Sequence, residues 1–179
     1  MIALFFTKEG DEGKSKIRNK KISKTNLILE TLGELDELNS LIGIVKNIVK
    51  KYRKELHQIQ ENLFIIQAQI AWFLYPKFKK PEIKKGKIKY LEERIIKIEN
   101  KIKPERGFII PGREINSAWL HYLRTAARRV ERRIIALDKK YKLDHNTLSY
   151  MNRLSSYLYA LAREIVYDKK LKEDKPKYE

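Results

Sequence analysis

The chain has 179 residues, of which 42% are hydrophobic, and its 40 Lys and Arg against 23 Asp and Glu give a formal net charge of +17 at pH 7. The absence of cysteine excludes disulfides, thiolate metal sites and cysteine nucleophiles, so the fold must be stabilised by packing. The positive charge favours anionic partners such as nucleic acid or phosphate compounds, although lysine-rich surfaces are also typical of solvated faces and of proteins from hot environments.

The first 25 residues predict an ordered loop with room for one short strand, because Gly10 and Gly13 interrupt any longer element. They contain no basic leader followed by a small-residue cleavage site, and no apolar run approaches the twenty or so residues of a membrane helix. We therefore expect a cytoplasmic protein without a membrane partner. It is predicted to fold as a single domain over residues 1–179, with residues 168–179 forming a flexible tail.

Five segments carry apolar residues at alternating steps of three and four, the spacing of a stripe along one side of a helix. These segments are residues 31–50, 56–73, 91–102, 120–137 and 151–165. Prolines and glycines separate most of them, and Asp144 to Asn146 is typical of a capping turn. No run has the alternation of a strand. The sequence therefore predicts an all-α fold, a five-helix antiparallel bundle with an ordered N-terminal loop.

The fourth predicted helix is rich in arginine. At 100° per residue, Arg124, Arg128 and Glu131 lie at the margin of its apolar stripe, half in the core, whereas Arg129 and Arg133 point well away. An arginine held partly out of water requires a carboxylate or phosphate partner, because an unpaired buried charge costs several kcal/mol. The helix is therefore predicted to pair its marginal charges.

Two interpretations of these charges remain open. Asp36 on the first helix and Glu131 could form an ion-pair network with Arg124 and Arg128 inside the bundle. Alternatively, Arg128 and Arg132 lie one turn apart and could bind phosphate, because planar guanidinium groups match phosphate oxygens in pairs.

The glycine-bearing segment TKEGDEGKSK supports the phosphate interpretation only weakly. Its backbone N–H groups, together with Lys14, Ser15 and Lys16, could face an anion, but a plain turn explains the same residues and the segment is not a Walker loop. By residue type alone, Phe108 is an ordinary core aromatic and His121 is a packing or hydrogen-bonding residue.

Five stretches, in this order, resemble the PduO-type ATP:cob(I)alamin adenosyltransferases: FTKEGDEGKS, LGELDELNSLIG, IQENLFIIQAQIA, FIIPGREINSAWLHYLRTAARRVERRI and YMNRLSSYLYALARE. The resemblance extends from Phe6 to Glu164. It implies a cobalamin adenosyltransferase-like, ferritin-like bundle that forms homotrimers with active sites between subunits, and residues 1–25 as an ATP-binding loop. The implied reaction moves the 5'-deoxyadenosyl group of ATP onto the cobalt of cob(I)alamin and releases triphosphate.

The resemblance also implies ligands and partners. ATP is the cosubstrate, Mg²⁺ accompanies its triphosphate without a dedicated metal site in the protein, and cobalamin is the substrate. A reductase and an acceptor cobalamin-dependent enzyme are further candidate partners, and no specific nucleic acid is expected.

Site residues follow from the same resemblance. The segment that wraps ATP contains Thr7, Gly10, Ser15, Lys16 and Lys24. The nucleotide-contacting positions on the helices are Arg128, Arg129, Glu131, Arg132 and Asn152. Asp36 and Arg124 match an ion pair across the subunit interface. Phe108 matches an aromatic residue that lies against the lower face of the corrin and displaces its axial ligand.

Two residues depart from the family pattern. Glu9 stands where threonine or a basic residue is common, and Arg113 replaces the second glycine of the usual PGG. Two alternatives from other classes remain, namely a noncatalytic ATP sensor on the same scaffold and a nucleic-acid-binding helical bundle. A di-iron enzyme would need Glu-x-x-His pairs, which the sequence lacks.

Overall fold

Five long helices and one short β-hairpin make up the described structure, a computed structural model that covers residues 8–17, 20–77 and 79–178, without the side chain of Lys20. The helices are α1 (Leu27–Ile48), α2 (Arg53–Trp72), α3 (Lys85–Ile102), α4 (Ile115–Tyr141) and α5 (His145–Asp168). A short 3₁₀ turn, Lys50–Tyr52, precedes α2. The predicted all-α bundle of five helices is confirmed. None of the described helices has the length and hydropathy needed to span a bilayer.

Each helix runs opposite to the one before it in the sequence. The order of the side-chain contacts shows this for α2 and α3, where Glu55 pairs with Arg94 and Asn62 accepts from Lys87. The two helices α3 and α5 are not consecutive, and they pack side by side in the same direction. Their carboxyl ends are joined where Lys101 of α3 donates hydrogen bonds to α5.

The predicted apolar stripes form the core. Leu35, Leu63, Leu120 and Leu158 illustrate it, since each side chain is fully buried. Each such side chain stabilises the fold by roughly 1.5–3 kcal/mol relative to an exposed one. Three buried hydrogen bonds also join α2 and its preceding turn to α5: Asn62 to Tyr150, Thr147 to Gln69, and Tyr52 to Glu164. These bonds satisfy polar groups that would otherwise destabilise the core.

The helix ends are fixed locally. The side chain of Asn26 accepts the N–H of Ile28 at 2.9 Å at the start of α1, and Glu114 accepts the N–H of Ser117 at 2.8 Å at the start of α4. Asp144 precedes α5 as the capping position, but its carboxylate accepts from Gln69 of α2 instead of from its own helix.

The N-terminal segment contains two strands where the sequence predicted at most one. Strand β1 (Lys14–Ile17) pairs antiparallel with β2 (Lys20–Ser23), with Lys14 opposite Ser23. Lysine predominates in both strands, so they lack the apolar alternation that would have predicted them. The hairpin makes few contacts with the helices of its own chain.

The segment that follows α5 crosses the loop between α3 and α4. The N–H of Ile110 donates to the carbonyl of Asp174 at 2.8 Å, forming a one-residue antiparallel bridge. A flexible tail over residues 168–179 stays a prediction, as does the single domain. The described tail residues nevertheless have specific partners that the sequence did not predict.

Candidate functional site

A cavity of about 460 Å³ lies between α3, α4, α5 and the loop of residues 103–114, here called the Phe108 loop. Three residues singled out from the sequence, Phe108, Arg124 and Arg128, line this cavity together. Isoleucines and prolines form most of the apolar part of its wall, and the polar part contains three arginines, two serines, a histidine, a tyrosine and one carboxylate, that of Glu99. The cavity therefore offers an apolar surface next to fixed positive charge, as a ligand with an apolar body and polar groups requires.

Phe108 is exposed, so its interpretation as a core aromatic is wrong. Its side chain is 79% accessible on the rim of the cavity. Gly107 has φ +129° and Gly112 has φ +115°, backbone conformations that residues with a Cβ rarely adopt. These two glycines let the loop turn outward on either side of Phe108 and present its ring to the cavity.

Tyr159 and its neighbours form the polar wall. The guanidinium carbons of Arg124 and Arg163 lie 5.9 Å and 5.6 Å from the centre of the Tyr159 ring, within the range of cation–π attraction. His121 packs edge-on against the same ring at 5.7 Å. Burial, together with the positive charge of Arg124, lowers the pKa of His121 to about 4, so its imidazole is neutral near pH 7.

Two polar atoms of this wall are buried without a hydrogen-bond partner among the described residues. They are Nε of Arg124 and Nδ1 of His121. Unsatisfied buried polar groups are uncommon in folded chains and are concentrated where a ligand or another chain supplies the missing partner. A ligand or another chain could supply partners for these two atoms.

The ion-pair network inside the bundle, one of the two interpretations of these charges, is absent from the described part of the chain. Asp36 is exposed in a groove between α1 and α2, lined also by Phe64, on a different face from Arg124. Arg128 is exposed rather than half in the core, because the cavity beside it leaves its side chain uncovered. The described residues include no ion-pair partner for Asp36, Arg124 or Arg128 in the same chain.

The glutamates of α1 pair with other arginines of α4. Arg129 contacts Glu37 at 2.8 Å. Arg133 contacts Glu34 at 2.9 Å and Glu30 at 3.4 Å. The prediction that Arg133 points well away from the bundle is wrong, because α1 packs against that side of α4 and half-buries the guanidinium. Solvent screens pairs this exposed, so they contribute little to the stability of the fold.

The predicted nucleotide-contacting residues of α4 and α5 form a polar strip. Asn152 donates its amide to Glu131 at 2.8 Å, and Glu131 is half-buried as predicted. Arg132 is exposed and donates to the carbonyl of Arg128 at 3.2 Å. The strip leaves Arg128 and Arg132 available to an anion, because neither is engaged by a carboxylate among the described residues.

The hairpin residues lie apart from the cavity, whose described lining includes none of them. Lys16 donates to Glu9 at 2.5 Å. The amino group of Lys24 packs on Gly10, where an added Cβ would come within 3.2 Å of it. Ser15 lies in β1. Thr7 lies outside the described residues, so its predicted contact has no structural counterpart here.

Tyr159 and Arg163 are wall residues that the sequence reasoning missed. They lie one turn apart on α5, at the edge of its apolar stripe, and the same edge position had drawn attention to the arginines of α4. Their position at the edge of the stripe was therefore a signal in the sequence that could have identified both residues. No group of three or more His, Asp or Glu side chains among the described residues is arranged to hold a metal ion.

Comparisons with known proteins give one consistent result. The family model described as Cobalamin adenosyltransferase matches residues 5–165. Corrinoid adenosyltransferase PduO of Citrobacter freundii is 36% identical over 167 residues, which cover 91% of this chain and 50% of that protein. Corrinoid adenosyltransferase of Bacillus subtilis is 32% identical over 166 residues, 89% of this chain and 85% of that protein. The chain thus spans about half the length of its PduO relatives.

Solved structures agree. A phenylalanine-to-histidine variant of the PduO-type ATP:corrinoid adenosyltransferase from Lactobacillus reuteri, complexed with cobalamin and ATP, superposes with a TM-score of 0.90 at 28% identity and 97% coverage of both chains. An arginine-to-lysine variant complexed with ATP gives a TM-score of 0.87 at 30% identity, covering 97% of this chain and 100% of that one.

Proposed function

Because the chain belongs to the cobalamin adenosyltransferase family, we propose that it transfers the 5'-deoxyadenosyl group of ATP to the cobalt of cob(I)alamin and releases triphosphate. The observation that carries this proposal is the cavity, where an exposed phenylalanine faces two arginines without carboxylate partners among the described residues. Relatives named corrinoid adenosyltransferases and a similar structure holding cobalamin and ATP support it.

The reaction explains why the cavity is rich in arginine. In the proposed step a bond forms between cobalt and C5' of ATP, the bond from C5' to the triphosphate oxygen breaks, and its electron pair leaves with triphosphate. The reduced corrinoid is itself the nucleophile. The protein therefore has to align the two substrates and offset the negative charge that grows on the leaving group.

We assign the corrinoid to the apolar side of the cavity. Phe108 would lie against the lower face of the corrin and displace its axial ligand, because an exposed ring on a glycine-flanked loop can stack on a flat macrocycle. Removing a donor from the cobalt makes its reduction to Co(I) easier. Phe108 would thus act on the substrate by contact.

The nucleotide is assigned to the polar strip and the hairpin. Arg128 would form paired hydrogen bonds to phosphate oxygens. The other proposed contacts are Thr7, Gly10, Ser15, Lys16, Lys24, Arg129, Glu131, Arg132 and Asn152. We propose Mg²⁺ only as a companion of the triphosphate, since the described residues provide no protein cage for it.

A homotrimer would join these separated parts. Asp36 is exposed beside Phe64, whose ring is 62% accessible, in a largely apolar groove, whereas Nε of Arg124 is buried without a partner among the described residues. We propose that Asp36 of one subunit pairs with Arg124 of the next. Both are then interface residues bordering the catalytic site.

One assay tests the activity against its alternatives. The protein is mixed with ATP, magnesium and chemically reduced cobalamin, and the spectral loss of Co(I) is followed together with triphosphate release. Coupled loss and release support adenosyl transfer. ATP binding without either signal would favour a noncatalytic sensor, and binding of RNA or DNA at physiological salt with a steep salt dependence would favour a nucleic-acid-binding bundle. A cytoplasmic location, a reductase and an acceptor enzyme stay predictions.

A further inference from the structure

Residues 169–178, here called the C-terminal strap, lie across the Phe108 loop. Besides the bridge between Ile110 and Asp174, Lys175 pairs with Glu105 on one side of the loop. Lys169 contacts Glu114 at 2.5 Å on the other side, where the loop joins α4. The strap therefore spans the loop from its beginning to its end.

The strap continues directly from α5, whose last turn accepts the N–H groups of Lys169 and Leu171. Beyond Leu171, one partly buried ion pair ties the strap to α5. Nε of Arg163 donates to Oε1 of Glu173 at 2.8 Å, and Nη2 donates to the second carboxylate oxygen. The two side chains are only 11% and 19% accessible, so this bidentate pair is less screened than the surface pairs of the strap. Arg163 is also part of the cavity wall against Tyr159. Glu173 thus connects the strap to the wall that Phe108 faces.

The Phe108 loop has little else to hold it. Between residues 104 and 113 the structure describes one backbone hydrogen bond to another backbone group, the bond from Ile110 to Asp174. Gly107 and Gly112 both adopt backbone conformations open to glycine, and Phe108 between them is exposed. A loop with two such glycines and one backbone hydrogen bond needs contacts from another segment to keep a single conformation.

We propose that Glu173, through Arg163, is a positioning residue that fixes Phe108 over the cavity by way of the C-terminal strap. The inference rests on the proposed function. When Glu173 is removed, residues 172–178 of the strap lose their side-chain attachment to α5 and the loop moves about its glycines. Phe108 then occupies its place beside the corrinoid for a smaller fraction of the time. The polar strip for the nucleotide keeps its residues, because none of them contacts the strap.

Hydrogen exchange tests the structural step without any substrate. Glu173→Ala is compared with Lys177→Ala, an exposed strap residue that has no hydrogen bond or ion pair among the described residues. We expect the Ile110 amide to exchange about tenfold faster in Glu173→Ala and at the parent rate in Lys177→Ala. Unchanged exchange at Ile110 in Glu173→Ala would overturn the inference. Amides of α2 and α5 report whether the fold is intact.

Kinetics and spectroscopy test the catalytic step in the same variants. For Glu173→Ala we expect kcat to fall about tenfold while KM for ATP changes by less than about twofold. Bound cob(II)alamin should show a smaller fraction that has lost its lower axial ligand. Faster exchange with parent turnover would show that the strap does not position Phe108. An inactive parent protein would instead overturn the proposed function, and with it the catalytic part of this inference. In that case, hydrogen exchange would still decide whether the strap holds the loop.

Discussion

Phe108 has a large, exposed apolar ring, and the positive φ angles of Gly107 and Gly112 let the loop present it. An exposed side chain contributes little to folding, so Phe108→Ala should change the free energy of unfolding by less than about 0.5 kcal/mol. We expect the variant to bind ATP like the parent and to lose adenosylation by about a hundredfold, because the corrinoid would keep its axial ligand. Steady-state turnover with separate ATP-binding measurements checks both statements.

The control for Phe108 is Ile96 of α3, which is also exposed but lines neither the cavity nor the groove beside Asp36. Ile96→Ala removes an exposed apolar side chain outside both surfaces and should keep the corrinoid spectrum of the parent. Normal turnover in Phe108→Ala would remove the assignment of this residue.

Arg128 tests whether the cavity recognises phosphate by geometry or by charge alone. Lysine keeps the charge but replaces a planar fork by a point charge, so Arg128→Lys should lower kcat by about tenfold to a hundredfold. Arg133→Lys is the control, because that guanidinium is already paired with glutamates of α1. Kinetics of Arg128→Lys equal to those of the parent would show that Arg128 is not a phosphate contact.

At the residue scale, helical geometry predicted some side chains better than others. It located Arg124 and Glu131 at the margin of the core, where both are half-buried against α5. It failed for Arg133, which is covered by α1, and for Phe108, which is uncovered by its loop. The apolar periodicity of one helix does not indicate which neighbouring helix covers the margin of its stripe, or how a loop turns.

At the scale of elements, the helices were predictable and the segments without apolar periodicity were not. The five stripes predicted α1 to α5 because burying one face of each helix is what stabilises it. The β-hairpin and the C-terminal strap are rich in lysine and are ordered by hydrogen bonds and ion pairs instead of apolar burial. The partners of the strap in the Phe108 loop, Ile110 and Glu105, are distant from it in sequence. No local pattern could reveal those partners.

The shared end of α3 and α5 provides a prediction on pH. Burial opposes ionisation of Glu164, but hydrogen bonds from Lys101 and Tyr52 outweigh it and lower the pKa of this carboxyl below its ordinary 4.5. The pKa of Asp168 is lowered in the same way. A lowered folded-state pKa stabilises the fold above the unfolded-state value, and the contribution is lost as pH falls through the folded-state value.

Glu164→Gln should therefore be less stable than the parent at pH 7 by roughly 2–3 kcal/mol, since charged hydrogen bonds are weakened. Its free energy of unfolding should fall less steeply than that of the parent below about pH 4.5. Denaturant titrations at pH 7 and at acid pH measure both, with Glu93→Gln on the exposed side of α3 as control. Parallel pH profiles for Glu164→Gln and the parent would contradict this account.

At the scale of the whole molecule, the single chain leaves complementary groups on separate faces. The groove between α1 and α2 combines apolar side chains with the carboxylate of Asp36, a composition typical of interfaces. The cavity wall contains a buried guanidinium nitrogen without a partner among the described residues. An assembly that brings the groove of one subunit to the cavity of the next would satisfy both, and a trimer closes such a head-to-tail contact into a ring.

Exchange of the two charges tests this assembly. Asp36→Arg places like charges together across the proposed interface, so we expect it to dissociate the proposed trimer and to abolish turnover. Its helical content should stay that of the parent, because Asp36 is exposed. Arg124→Asp should do the same. The double variant recreates an opposite pair and should recover the trimer and a measurable part of the turnover, since the coupling belongs to the pair. Sedimentation equilibrium and the Co(I) assay measure these outcomes, and a trimeric, fully active Asp36→Arg would exclude the pairing.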